Sequence, residues 1–226
     1  MRIPRAQVLS ARSTLEAVEA RQRPVVLLIR ALDAFNVANV TCHGMEVLPP
    51  DEPVLILATH QNSHDAHVLG YAYYRRTGVP LSLFAKKELD DMPVVGPILR
   101  DLGAIAIDRT GESSNRSSLV EAMARFRAGG SVGIFAEGKR TYGGNIAPIK
   151  EELVGIARRA GVDIVTAGIY GPSRPSPFML RPLTIAFSSR TRPGDVDDAG
   201  EHYRRELDRA YRIALAAHHG RPWPTD

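Results

Sequence analysis

The stretch Val54-Leu55-Ile56-Leu57-Ala58-Thr59-His60-Gln61-Asn62-Ser63-His64-Asp65-Ala66-His67 passes from an uninterrupted apolar run into a polar segment with three histidines and an aspartate. Apolar residues without alternation predict a central strand covered on both faces, over Val54 to Thr59. A helical pattern follows from about His64 to Arg76, and Thr77-Gly78-Val79-Pro80 stops it. A strand that surfaces and turns into a helix can expose reactive side chains while the framework holds them still. His60 and Asp65 are expected to be a general base and its orienting carboxylate. Their spacing is too long for a helical i,i+4 pair, yet a strand-to-helix turn lets the carboxylate fold back to the ring. Bound at Nδ1–H, it would fix the tautomer and leave Nε2 to remove a proton.

Outward from this stretch, Val40 to Leu48 reads as a strand ending at Pro49-Pro50, with Cys42 as a small core residue and His43 as a strand histidine. Leu81 to Ala85 predicts another strand, followed by Lys86-Lys87-Glu88-Leu89. Met92 to Pro97 is a loop that enters a short helix to Leu102. Ala104 to Asp108 is a strand ending at Arg109, and Ser113 to Asn115 offer caps for a helix carrying Leu119, Met123 and Phe126. Ser131 to Phe135 is the next strand, terminating in Ala136-Glu137-Gly138-Lys139-Arg140-Thr141. Lys150 to Ala160 is helical. Asp163 to Tyr170 and Pro182 to Ser188 are late strands, separated by a Pro-rich loop. Asp198 to His219 is a long helix with a packing stripe of Tyr203, Leu207, Ala210, Tyr211, Ala214 and Leu215, and with His218 and His219 as surface residues near its end.

Strands alternating with helices predict an α/β fold with a mixed, largely parallel central sheet flanked by helices. Polar clusters at 59–65, 108–111 and 135–141 each end a strand. In an open α/β sheet such ends converge on one crevice.

The 226 residues suit one principal domain, placed at 40–226, behind a helical segment at 1–39. A chain of this size buries roughly 70% of its unfolded surface, enough to fold without a metal or disulfide staple. The lone Cys42 leaves no internal disulfide and no multi-cysteine zinc site. Net charge is +4, carried by 25 arginines and only Lys86, Lys87, Lys139 and Lys150. This mild basic excess suits anionic lipid surfaces or phosphorylated ligands. Nucleic acid is not an expected partner, because no basic block is interleaved with aromatics and aromatics are 6%.

In the N-terminal segment, Val25, Leu28, Ile29, Leu32 and Phe35 share one helical face, either packed on the core or lying on a membrane with Arg21, Arg23 and Arg30 at the phosphates. The apolar run Val25 to Ile29 is far short of the ~20 residues that cross a bilayer. Arginines and glutamates interrupt any secretory signal. The expectation is a cytoplasmic protein peripherally associated with the cytoplasmic face of the membrane.

Other chemistries fit the same stretch less well. Ser63 lacks a G-x-S-x-G elbow. His60, His64, Asp65 and His67 hold enough ligands for zinc, but match neither H-E-x-x-H nor H-x-H-x-D-H, so a His/Asp metallohydrolase stays as an alternative. Arg109 follows one strand, and Glu137 and Arg140 follow another. Two guanidiniums near one site suit a phosphate, Glu137 would orient an arginine or a substrate hydroxyl, Gly138 permits close backbone approach, and Lys86 and Lys87 enlarge the positive site.

The ordered set resembles the glycerolipid acyltransferase family that includes 1-acyl-glycerol-3-phosphate acyltransferases, the PlsC-like family. Its H-x4-D block is similar to His60-Gln61-Asn62-Ser63-His64-Asp65, and its glycine-strand-arginine block to Gly103-Ala104-Ile105-Ala106-Ile107-Asp108-Arg109. Its F-P-E-G-T-R-S block is similar to Phe135-Ala136-Glu137-Gly138-Lys139-Arg140-Thr141, and a weaker fourth block corresponds to Ile164 to Ile169. Ala136, Lys139 and Thr166 depart from the family's residues at positions that shape its acceptor pocket. The resemblance implies transfer of a fatty acyl chain from acyl-CoA or acyl-carrier protein to a hydroxyl of lysophosphatidate or glycerol 3-phosphate, in phospholipid biosynthesis. It implies His60 as base, Asp65 as its partner, and Arg109, Glu137, Gly138 and Arg140 as the acceptor-phosphate site. Attack would be direct, with no acyl-enzyme, cofactor or metal. Another lysolipid or a glycolipid is the alternative acceptor.

Overall fold

The computed structural model describes residues 40–62, 64–93, 95–107, 112–138, 140, 146, 149–171 and 182–222. The proposed N-terminal segment 1–39 lies outside the described residues.

Strand β2 (Val54–Ala58) is the axis of the fold, and all five of its residues are buried. Its side chains alternate between two cores, as the period of a strand requires. Leu55 and Leu57 pack with Phe126, Val154, Tyr203 and Leu207 on one face. Val54, Ile56 and Ala58 pack with Val68, Leu69, Ala72 and Tyr73 on the other. A strand covered twice has no polar face to spare, which is why its sequence reads as one apolar run.

Around it lie β1 (Val40–His43), β3 (Ser82–Lys86), β4 (Ile105–Ile107), β5 (Val132–Phe135), β6 (Asp163–Tyr170) and β7 (Leu183–Thr191). They form one seven-stranded sheet in the order β1-β7-β6-β2-β5-β3-β4. Every pair is parallel except β6 with β7. The helices are α1 (Asp65–Thr77), α2 (Lys87–Asp90), α3 (Val95–Asp101), α4 (Glu112–Arg127), α5 (Glu151–Ala160) and α6 (Ala199–His218). The α/β class with a mixed, mostly parallel sheet is therefore as the sequence predicts. After β2 the chain crosses one face as α1, and after the neighbouring β5 it crosses the other as α5. Neighbouring strands whose connections leave on opposite faces open a crevice at their carboxyl ends.

The predicted first strand is shorter than expected. It stops at His43, and residues Met45–Val47 form a 3₁₀ turn. Gly44 causes the break: its φ is +66°, and a Cβ there would stand 2.1 Å from the Phe187 carbonyl oxygen. Residues 87–90 are helical where only a polar stretch was expected. At the end of α6, His218 Nδ1 hydrogen-bonds the Thr184 hydroxyl, and both His218 and His219 pack edge-on against Tyr170, so these are packing residues as well as surface ones.

Helix α6 seats against β6 at Gly168, where a Cβ would lie 2.1 Å from the Tyr211 amide nitrogen. Gly168→Ala should therefore lower stability by about 1–3 kcal/mol or more, as overpacking in a closed core does. Gly70→Ala in α1, where nothing described lies within 4 Å, should be neutral or stabilising. Thermal unfolding of the two variants checks this, and a Gly168→Ala midpoint at or above that of the parent protein would contradict the packing.

Candidate active site

The crevice is built from the end of β2. Thr59 keeps the chain on β6 for one more residue: its N–H donates to the Ala167 carbonyl at 3.0 Å, and its hydroxyl accepts the Ile169 N–H at 2.9 Å. His60 is the first residue off the sheet. Five residues on, at the first position of α1, Asp65 turns its carboxylate back over the loop. Asp65 Oδ2 accepts from the Gln61 N–H at 2.6 Å and the Asn62 N–H at 2.8 Å, and stands 3.0 Å from His60 Nδ1. Asn62 Oδ1 accepts the His64 N–H at 2.8 Å and completes the turn. Asp65 is fully buried, whereas the His60 side chain keeps 20% exposure. An ionised carboxylate only accepts, so Nδ1 carries the hydrogen and Nε2 is the basic nitrogen.

Strand β5 supplies the opposite wall. Phe135 is in register with Ala58, and the Ala136 N–H donates to the Ala58 carbonyl at 3.1 Å. The Phe135 ring stacks on the His60 ring, centroids 4.3 Å apart and planes 23° from parallel. The chain then turns back, with the Gly138 N–H on the Phe135 carbonyl at 3.0 Å and Gly138 at φ +65°. That turn brings Glu137 over the loop, where Oε1 accepts the His60 main-chain N–H at 3.1 Å. The Glu137 carboxyl is pushed up to about 7, chiefly because burial penalises its charge. The His60 N–H and ring pull it down, and the Asp65 charge raises it. From α6, Tyr211 faces the loop: burial raises its hydroxyl above the ordinary range, the nearby Gln61 side chain opposes the rise, and the Tyr170 and Glu137 charges add to it. Glu137 Oε2, Asp65 Oδ1, Gln61 Nε2 and Asn62 Nδ2 are buried with no hydrogen-bond partner among the described residues.

Of the residues singled out in the sequence, His60, Asp65 and Glu137 meet directly. Glu137, expected beside an arginine or a substrate hydroxyl, instead holds the backbone of His60. Gly138 makes a left-handed turn, and nothing described lies within 4 Å of where its Cβ would stand. Lys86 ends β3, the strand beyond β5, and is exposed. Arg140 is exposed and forms no ion pair among the described residues. Arg109, Ser63, Lys139 and Thr141 lie outside the described residues. Thr166, placed by its block in the acceptor pocket, is fully buried within β6 beside a register shift, its hydroxyl 2.8 Å from Ser188 Oγ and 3.1 Å from Ser189 Oγ. His64 occupies the N-cap position of α1 and His67 its first turn. Among the described residues no three His, Cys, Asp or Glu side chains gather as a metal-binding group. Sequence reading missed two partners. Phe135 lies in an apolar run, where nothing marks a ring that will stack on an imidazole. Tyr211 lies in a packing stripe, and only its hydroxyl hinted at a polar neighbour.

Comparison with known proteins places this geometry. The sequence model of the family described as "Acyltransferase" matches residues 39–170, a span that holds β1 to β6 and every residue of the crevice except Tyr211. A 1-acyl-sn-glycerol-3-phosphate acyltransferase of Borreliella burgdorferi is 29% identical over 127 residues, covering 56% of this chain and 49% of its own length. One from Brassica napus chloroplasts, BAT2, is 27% identical over 159 residues, 68% of this chain and 43% of its own length. The chain thus spans about half the length of the curated relatives it matches. In structure it is similar to the 1-acyl-sn-glycerophosphate acyltransferase PlsC of Thermotoga maritima, with a TM-score of 0.62 and 20% identity over 99% of this chain and 86% of that one, a likeness of fold. With the family's model covering more than half of it, the chain belongs to the acyltransferase family.

Proposed function

We propose that the chain transfers a fatty acyl group from a thioester donor to the free hydroxyl of a lysophosphatidate, as a 1-acyl-glycerol-3-phosphate acyltransferase of phospholipid biosynthesis. The observation that carries this reading is the 3.0 Å contact between His60 Nδ1 and Asp65 Oδ2 at the carboxyl end of β2. It leaves Nε2 as the one ring nitrogen able to take a proton. The names of the relatives supply the acceptor class.

The steps follow from that geometry. The acceptor hydroxyl attacks the thioester carbonyl while Nε2 takes its proton, and Asp65 stabilises the imidazolium that forms. Collapse of the tetrahedral intermediate breaks the C–S bond. The thiolate leaves and recovers the proton from Nε2, so the base is regenerated and no acyl-enzyme forms. Arg140 and Lys86, with Arg109, supply the positive charge for the acceptor's phosphate. Acyl-CoA and acyl-carrier protein present the same thioester, and either serves as donor. The acceptor resides in a bilayer, so we place the protein peripherally on the cytoplasmic face of the membrane. Among the described residues no helix is long and apolar enough to cross one.

Purified protein given acyl-CoA and lysophosphatidate should release free thiol and form phosphatidate. His60→Ala should lower kcat/KM by about 10²–10⁴, the usual worth of a general base. Undiminished turnover in that variant would remove His60 from the mechanism. Arg140→Ala should raise the acceptor KM at nearly constant kcat, and an unchanged KM would take Arg140 out of the phosphate site. A panel with other lysolipids and glycolipids tests the acceptor class. Thiol release without acceptor, abolished by a chelator, would instead favour the metallohydrolase alternative.

A further inference from the structure

We propose that Glu137 is a positioning residue for His60: its carboxylate holds the main-chain N–H of the base and sets where the imidazole stands, and it does not bind the acceptor's phosphate. The proposal rests on His60 being the base of the transfer described above.

Three observations support it. First, β5 delivers consecutive contacts to one target. The Ala136 N–H fixes the Ala58 carbonyl, the Phe135 ring covers the face of the imidazole, and Glu137 Oε1 takes the His60 N–H at 3.1 Å. The base is thereby held at two different atoms by two carboxylates, Asp65 at the ring and Glu137 at the backbone. Second, the remaining Glu137 oxygen is buried, not turned outward to a ligand. Third, the charge is wrong for a phosphate ligand. Glu137 already feels the Asp65 carboxylate, and a phosphate brought to it would add a further negative charge.

The groups that face Glu137 also give the tie a direction. Its titration is coupled to His60 and Asp65 from the β2–α1 loop, and its charge is felt by the Tyr211 hydroxyl on α6. Charge on His60 favours the ionised form of Glu137. When Nε2 takes the substrate proton, the imidazolium therefore strengthens the carboxylate's hold on the His60 N–H. The brace tightens at the step that needs the ring still.

Steady-state kinetics of the full chain with acyl-CoA and lysophosphatidate, beside ¹⁵N–¹H spectra of the His60 amide, test this on Glu137→Ala and Glu137→Gln. Glu137→Ala should lower kcat about 10–100-fold, the rate equivalent of one charge-assisted hydrogen bond, and leave the acceptor KM within about twofold. It should also shift the His60 amide proton. Glu137→Gln keeps a carbonyl oxygen in place and should recover most of the lost rate. A rise of about tenfold in acceptor KM at constant kcat would overturn the proposal, as would a His60 amide resonance that does not move in Glu137→Ala. If the parent protein transfers no acyl group, the reaction assignment fails and the amide resonance still decides the tie.

Thermal stability against pH gives a second readout. The Glu137 carboxyl is raised from 4.5 to about 7, so across that window the folded protein holds its proton more tightly than the unfolded chain does. Stability from this group falls as pH rises from 4.5 to 7, and Glu137→Gln should flatten that slope. Burial causes that shift and the bond to the His60 N–H opposes it, so a slope identical to that of the parent protein would contradict the buried carboxyl on which the proposal rests.

Discussion

The site depends on one buried oxygen. Asp65 Oδ2 serves two backbone N–H groups and the His60 ring at once, in a residue with no solvent exposure. A buried carboxylate without partners costs several kcal/mol and would take up a proton to escape its charge. Three donors and the N-terminus of α1 supply those partners here. The five-residue spacing follows from this need. Two loop residues must present their N–H groups inward while the ring swings alongside, and the helix must begin at the acid itself.

Such a loop cannot be held by its own residues alone. Its entry is pinned to β6 through Thr59, and its base is covered by Phe135 and gripped by Glu137, which lies 77 residues further along the chain. The central place of β2 is therefore a requirement of the site as well as of the core. Only a strand with neighbours on both sides can have one neighbour fix the loop's departure while the other covers what departs. The opposed crossovers of α1 and α5 keep that mouth open.

This division explains what could be read in the sequence. The apolar run of β2, the alternation of strands and helices, and the His60–Asp65 spacing are local patterns, and the sequence reading found them. Strand order is not local, so the reading could bring the clusters at 59–65 and 135–141 to one crevice without seeing that β2 and β5 are neighbours. Phe135 and Tyr211 are written in the same apolar alphabet as the core around them, and their roles exist only across the sheet. Gly138 and Thr166 were assigned by their blocks to the acceptor. A left-handed turn and a hydroxyl bonded to β7 explain those residues locally.

The electrostatics of the crevice divide labour among its charges. His60 stands between the carboxyl groups of Asp65 and Glu137, so oxygen acceptors flank it before substrate arrives. A carboxylate at the ring suits a base that must gain a proton, because it stabilises the imidazolium as it forms in the transfer. The same surroundings oppose a phosphate, so in the proposed reaction the acceptor cannot place its headgroup beside the base. It must reach the imidazole with its hydroxyl and leave the phosphate at the cationic rim. Lys86, at the carboxyl end of the strand beyond β5, and Arg140, following Glu137, are exposed cations of the kind such a rim requires. A glycerol backbone separates hydroxyl from phosphate by a few bonds. In the proposed reaction the span from the carboxylate-braced base to that cationic rim would select the hydroxyl that is presented.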